Sequence, residues 1–291
     1  QQVVSWRCAL VEWSIALSMD RVVDKLIGLL TFCIAGGRHT EPASRGIAPS
    51  SLGPTGGHRR PGPLEVALRQ AGRRLIGKDQ WAITVYQNVN EDRLWPTAAG
   101  IDLIPPVDRF WADPFLARDG DRLWVFFEEL KFAAGKGTLR CIPIDSAGRI
   151  GEPSDVLEEP CHLSYPNVFR HGADWFMLPE RSARGNLVLY RARRFPTDWE
   201  PVAELLSNAR VVDATLHCNE HGWWMLAGSA DSPGGAFDDT LHVYHARDLL
   251  GPWKASAFNP VRSDPSSSRP AGPFFRWRGK WLRPVQDCRG R

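Results

Sequence analysis

Apolar and polar residues alternate in short runs over most of this chain, and the first strong run is Trp81-Ala-Ile-Thr-Val-Tyr86. A period of two puts one face of a strand on a core and the other towards water. Runs of the same kind follow at Phe110–Leu116, Leu123–Glu128, Gly137–Ile144, Asn167–Phe169, Trp175–Leu178 and Leu187–Ala192. They continue at Ala214–Cys218, Trp223–Ala227, Leu241–Ala246, Gly272–Trp277 and Lys280–Pro284. Gly, Asp and Pro turns separate them, so the pattern predicts an all-β sandwich, barrel or propeller.

A recurring phrase decides among these three. An X-Gly-X turn followed by a short aromatic strand occurs as Arg118-Asp-Gly-Asp-Arg-Leu-Trp-Val-Phe-Phe-Glu-Glu129 and Arg170-His-Gly-Ala-Asp-Trp-Phe-Met-Leu-Pro-Glu180. It returns as Glu220-His-Gly-Trp-Trp-Met-Leu-Ala-Gly228 and Arg276-Trp-Arg-Gly-Lys-Trp-Leu-Arg-Pro-Val-Gln-Asp287. The turn glycines are Gly120, Gly172, Gly222 and Gly279, with spacings of 52, 50 and 57 residues. A period near 50 with several strands per unit is the mark of a propeller blade. Four units and the Trp81 segment predict a five-bladed β-propeller. Its last blade is expected to be truncated, because the chain stops just after that blade's second strand.

Before Trp81 the texture differs. Residues 1–35 place apolar side chains at Val11, Ile15 and Val22 to Leu30, with Glu12, Asp20, Arg21, Asp24 and Lys25 between them. This spacing predicts an amphipathic helical extension. Residues 36–75 are rich in Gly, Pro, Ser and Arg, as in Gly53-Pro-Thr-Gly-Gly-His-Arg-Arg-Pro-Gly-Pro63, and read as a linker followed by a short basic helix at Leu64–Leu75. The propeller is assigned to residues 76–291. The best apolar run, Leu26–Ala35, is too short to cross a bilayer, so no membrane span is expected. A start at Gln1 and a stop at Arg291 give the expectation of a fragment.

Composition narrows the function. With 36 basic and 33 acidic residues, the net charge of +3 supplies no strong field, which argues against a nucleic-acid partner. Thirteen tryptophans exceed what turns require. Most are expected in blade packing, but flat apolar rings also stack on the C–H faces of sugars. The six cysteines, Cys8, Cys33, Cys141, Cys161, Cys218 and Cys288, form no Cys-x-x-Cys pair and no zinc spacing. They read as buried thiols in a reducing, cytoplasmic setting, and no metal or cofactor motif is present.

Each unit opens on a polar motif: Trp111-Ala-Asp-Pro-Phe115, His162-Leu-Ser-Tyr-Pro-Asn-Val168, Val212-Asp-Ala-Thr-Leu216 and Ser268-Arg-Pro-Ala-Gly-Pro273. The first strand of a blade lines the central channel, so these motifs are expected to converge on one mouth. Asp113, Glu180 and Asp213 are the candidate catalytic carboxylates, with Glu128 and Glu129 in reserve. Glycoside cleavage needs such a set: one acid protonates the leaving oxygen, another acts as nucleophile or as base on water. A third carboxylate nearby raises the donor's pKa. Arg269, His162, Tyr165 and Asp287 are candidates to bind substrate hydroxyls, and Trp111 to form a stacking floor. Structural readings stand beside these: Asp113 and Asp213 as turn caps, Glu180 in a surface ion pair, and Arg269 as partner to one of the acids.

The series Ala112-Asp-Pro-Phe115, Phe126-Phe-Glu-Glu129, Gly135-Lys-Gly137, His162-Leu-Ser-Tyr-Pro166, Leu178-Pro-Glu180, Leu189-Tyr-Arg191, Val212-Asp-Ala-Thr215, Gly251-Pro-Trp253, Arg269-Pro-Ala-Gly272 and Arg283-Pro-Val-Gln-Asp287 resembles one family. It is similar to the N-terminal propeller region of the glucosamine inositolphosphorylceramide transferase family and its bacterial homologues. That region is similar in turn to five-bladed furanosidase-like glycoside hydrolases, whose blade-one Asp, mid-chain Glu and further Asp correspond by analogy to Asp113, Glu180 and Asp213. The resemblance implies a glycan or glycolipid substrate. It also implies a partner domain of glycosyltransferase or formyltransferase type, neither of which is recognisable in residues 1–75. A carbohydrate-active enzyme and a non-catalytic glycan-binding accessory propeller both remain open at this point.

Overall fold

The computed structural model describes residues 3–6, 80–86, 100–231 and 236–289. Its described elements are strands, apart from one short 3-10 turn at Ser182–Arg184. The first sheet joins β1 (Val3–Trp6), β2 (Ile83–Tyr86) and β3 (Ile101–Leu103). The second is an antiparallel meander of β4 (Arg109–Asp119), β5 (Arg122–Lys131), β6 (Lys136–Ile144) and β7 (Ser154–Leu157). The third repeats that order with β8 (Ser164–His171), β9 (Asp174–Glu180), β10 (Leu187–Arg194) and β11 (Asp198–Leu206). The fourth contains β12 (Val211–Asn219), β13 (Gly222–Ser229), β14 (Thr240–Ala246), β15 (Lys254–Ala255) and β16 (Arg262–Ser263), the last pairing with β14. A two-stranded sheet of β17 (Phe275–Trp277) and β18 (Lys280–Leu282) follows.

Each recurring phrase forms the first hairpin of a sheet, and its glycine makes the turn. Gly120, Gly172, Gly222 and Gly279 have φ of 54°, 61°, 115° and 75°, a region costly for residues with a Cβ. In the first two of these hairpins the second strand is apolar on both faces because each face meets a different neighbouring sheet. In β5, Leu123, Val125 and Phe127 enter the core shared with the first sheet, while Phe126, with Trp124 behind it, enters the core shared with the third. In β9, Phe176 and Leu178 face the fourth sheet and Met177 faces the second. The core is therefore three slabs between successive sheets, as expected where blades stack around an axis. Fully burying one such side chain contributes about 1.5–3 kcal/mol.

The alternation locates the inner strands well and the outer ones poorly. The sequence pattern passes over β11, where Asp198, Glu200, Pro201 and Glu204 break the alternation. Proline and charge are tolerated there because β11 lies at the edge of its sheet. Gly272–Phe274 of the predicted Gly272–Trp277 run is not strand, and Phe275–Trp277 is. Val3–Trp6, inside the predicted helical extension, is a strand paired antiparallel with β2. The rest of that extension, the linker and the Leu64–Leu75 helix lie outside the described residues. Among the described residues no helix is long and apolar enough to cross a membrane. Cys141, Cys161, Cys218 and Cys288 are free thiols.

Candidate active site

The innermost strands share one irregularity. β4 shifts register between Ala112 and Phe115, β8 between Ser164 and Asn167, and β12 between Val212 and Thr215. At the same step of each bulge a residue with a side chain adopts left-handed backbone: Asp113 at φ 49°, Tyr165 at 45° and Asp213 at 53°. Such a conformation costs about 1–2 kcal/mol per residue. It persists only where surrounding contacts over-determine it. A bulge re-aims a side chain out of the pleat, and here the same device is applied in three consecutive sheets.

These bulges gather four carboxylates. Burial raises the Asp113 carboxyl well above the usual carboxylate range, and Asp213, Glu128 and Glu180 push it further, against Arg269. The Asp213 backbone N–H donates to Glu180 Oε2 at 3.1 Å. Arg269 Nε donates to Asp213 Oδ2 at 2.5 Å, and Gln286 Nε2 donates to the same oxygen at 3.3 Å. Asp213 Oδ1 is buried and has no hydrogen-bond partner among the described residues. That atom is suited to receive a hydroxyl or a proton from a bound molecule. Arg269 Nη1 also donates to Asp238 Oδ1 at 2.8 Å. Burial opposes the Arg269 charge, but Asp213 and Asp238 outweigh it and keep the guanidinium ionised.

Glu128 and Glu180 occupy the same register in successive sheets. Glu128 pairs with Ala112, just before the Asp113 bulge, and Glu180 pairs with Ser164, just before the Tyr165 bulge. Aligning the repeats glycine to glycine superposes these glutamates in sequence, a signal that promotes Glu128 from the reserves. Glu129 points to the other face, where it accepts from Trp111 Nε1 at 2.9 Å and from Arg109 and Arg140 at 3.2 and 3.1 Å. Its role is structural.

His162 joins the mouth through Glu128, with Nε2 3.2 Å from Oε1. The Gly137 N–H donates to His162 Nδ1 at 3.0 Å, so the neutral ring carries its proton on Nε2 and gives it to Glu128. Glu128 raises the His162 pKa, because it favours a charged ring. Full protonation has to displace the Gly137 contact. Gly137 has no room for a side chain: an added Cβ meets Leu163 O at 2.4 Å, Glu128 Oε1 at 2.7 Å and His162 Cε1 at 2.9 Å. Gly137→Ala is expected to destabilise the chain by about 1–3 kcal/mol through this overpacking. Chemical denaturation measures it, and a loss under ~0.5 kcal/mol contradicts the stated geometry.

Three of the residues expected to bind substrate have their polar atoms engaged within the protein. Trp111 is 6% exposed, packs on Phe127 at 4.8 Å between ring centroids, and spends its indole N–H on Glu129, so it offers no stacking floor. Tyr165 is 2% exposed and its hydroxyl is committed to Thr215 and Gly272, so it has no hydrogen bond for a sugar. Asp287 is on the surface in an ion pair with Arg289 at 2.7 Å. Its neighbour Gln286 points inward to Asp213 instead, as alternation of side chains along extended backbone requires.

Comparison with known proteins follows this geometry. Residues 96–291 match the family described as glucosamine inositolphosphorylceramide transferase 1, N-terminal. Glucosamine inositolphosphorylceramide transferase 1 of Oryza sativa subsp. japonica is 34% identical over 246 residues, covering 76% of this chain and 33% of that protein. Its Arabidopsis thaliana counterpart is 31% identical over 247 residues, covering 77% and 32%. The chain therefore spans about a third of the length of these curated relatives. Among solved structures, the exo-β-1,3-galactanase of Phanerochaete chrysosporium superposes with a TM-score of 0.52 at 10% identity, over 70% of this chain and 49% of that one. RS223-β-xylosidase gives a TM-score of 0.51 at 10% identity, over 69% and 73%. These two likenesses concern the fold alone.

Proposed function

The chain belongs to the glucosamine inositolphosphorylceramide transferase 1 N-terminal family, a carbohydrate-related domain, and on that premise we propose that it is a five-bladed propeller that acts on a glycosidic bond at its mouth. The observation that carries the reading is the convergence of Asp113, Glu180, Asp213 and Glu128 around Arg269. Several like charges in one site oppose ionising together, and the proton is assigned to Asp113, whose carboxyl is raised by desolvation and by its carboxylate neighbours. Asp113 then donates to the leaving glycosidic oxygen. Glu180, oriented by the Asp213 N–H, acts on the sugar carbon or on water from the other side. Arg269 keeps Asp213 in place and limits repulsion within the cluster. His162 and the open Asp213 Oδ1 bind hydroxyls.

The substrate proposed is a glycan or glycolipid, in keeping with the names of the curated relatives. We assign the propeller to residues 76–291 and expect it to work beside a glycosyltransferase or formyltransferase-like domain. The occupation of Asp213 Oδ2 by both Arg269 and Gln286 favours a second reading, a glycan-binding accessory domain without turnover. Sugar release from a panel of furanosides, pyranosides and bacterial surface glycans separates the two. Turnover that falls at least about a thousandfold in Glu180→Gln supports the enzyme. Sugar binding by a folded wild type without turnover supports the accessory domain, and neither binding nor turnover sinks both.

A further inference from the structure

We infer that Tyr165 is a positioning residue: its hydroxyl, held by the fourth repeat, fixes the backbone of Asp213 and through it the carboxylate cluster around Asp113. This rests on reading that cluster as the functional site.

The hydrogen bonds form one consistent series when the Thr215 hydroxyl donates to the Asp213 carbonyl. The Gly272 N–H can only donate, and it reaches the Tyr165 hydroxyl at 2.7 Å. With the Thr215 hydrogen directed to the Asp213 carbonyl, the phenolic hydrogen goes to Thr215 Oγ1, also at 2.7 Å. The Thr215 hydrogen passes on to the Asp213 carbonyl at 3.2 Å. The result is a one-way chain from the fourth repeat, through a side chain of the second, to the left-handed residue of the third. The Tyr165 ring meets Phe115 of the β4 strand edge-on, with centroids 4.8 Å apart. One buried side chain thus touches all four repeats.

The remaining groups of the Asp213 bulge are held from the second repeat as well. The Asp213 N–H goes to Glu180 Oε2, and Asn167 Nδ2 donates to the Ala214 carbonyl at 3.2 Å. Glu180 and Asn167 lie on the strands flanking the Tyr165 bulge. The carboxylate of Asp213 has one oxygen fixed by Arg269 and Gln286, so its backbone sets where the open oxygen points. Without the phenol, the Asp213 carbonyl keeps a threonine free to rotate away.

Tyr165→Phe removes one oxygen and leaves the ring packing. The readout is the titration midpoint of the Asp113 carboxyl, followed by carbon-13 NMR and identified by its loss in Asp113→Asn. The charged groups facing it are Asp213, Glu128, Glu180 and Arg269. Loosening Asp213 moves its charge from Asp113, so the midpoint is expected to fall by roughly half a unit or more. On any substrate the wild type cleaves, kcat falls roughly tenfold or more with little change in KM. A lower melting temperature with an unmoved Asp113 midpoint overturns the inference and leaves Tyr165 as packing. Thr215→Val cuts the same chain one bond later and gives the same comparison if Tyr165→Phe does not fold. The titration answers even if no glycan is turned over, so failure of the functional reading is seen separately.

Discussion

Arg269→Met is expected to lower the stability of the chain by about 3 kcal/mol, at the lower end of the range for breaking a buried ion pair. The guanidinium bridges Asp213, which is 1% exposed, and Asp238, which is 24% exposed. Methionine keeps most of the volume but leaves the buried Asp213 charge without a counterion. It also leaves Asp113, Asp213, Glu128 and Glu180 as an uncompensated acidic group. For a domain of this size, 1 kcal/mol corresponds to about 2–4 °C, so the melting temperature falls by roughly 6–12 °C. The double variant Arg269→Met/Asp213→Asn recovers a large part of the loss, because the orphaned charge is gone. A fall under about 2 °C, or no recovery in the double variant, shows that the bridge contributes little.

Asp113→Asn is expected to abolish turnover while making the fold more stable at neutral pH. The activity loss, about a thousandfold or more, follows from removal of the proposed proton donor. The stability gain follows from the sign of the pKa shift. The folded-state pKa of Asp113 lies above its unfolded value, chiefly through burial and then through its carboxylate neighbours. Below the unfolded value, near pH 4, both states hold the proton and no penalty applies. As pH rises from the unfolded towards the raised folded value, the unfolded chain ionises while the native carboxyl stays protonated, and stability is lost over that interval. Asparagine does not ionise, so the gap between variant and wild type opens as pH rises above about 4. Thermal melts from pH 3 to pH 8 measure this. A variant that is less stable at pH 7 than at pH 4, in parallel with wild type, removes Asp113 as the strained acid. Stabilisation by loss of a catalytic group is a common cost of an active site made visible.

The fold was legible where the repeat was strong. The turn glycines and the aromatic strands after them mark the first hairpin of the last four sheets, since left-handed turns leave few residue choices. Asp113, Glu180 and Asp213 were legible as candidates because they open or close those hairpins. What the sequence hid is direction. Trp111 and Tyr165 belong to the right motifs, but composition does not tell an indole facing a sugar from one facing Glu129. Gln286 and Asp287 are adjacent and polar, and only the register of the backbone says which enters the mouth. Glu128 stands in reserve in the sequence because Glu129 beside it is equally acidic; the offset from the turn glycine and the pairing opposite Ala112 separate the two.

The bond from the Gly272 N–H to Tyr165 joins residues 107 positions apart. Contacts between sequence-distant residues bear the largest loop-closure cost, and they form late. During synthesis the second and third sheets can close their hairpins locally as they leave the ribosome. The chain from Gly272 to Asp213 has no donor until the fourth repeat has emerged. A nascent chain halted near residue 250 therefore carries all four mouth carboxylates, Asp113, Glu128, Glu180 and Asp213, yet lacks both Arg269 and the Gly272 donor. The alignment of these carboxylates therefore comes with the fourth repeat rather than accumulating sheet by sheet.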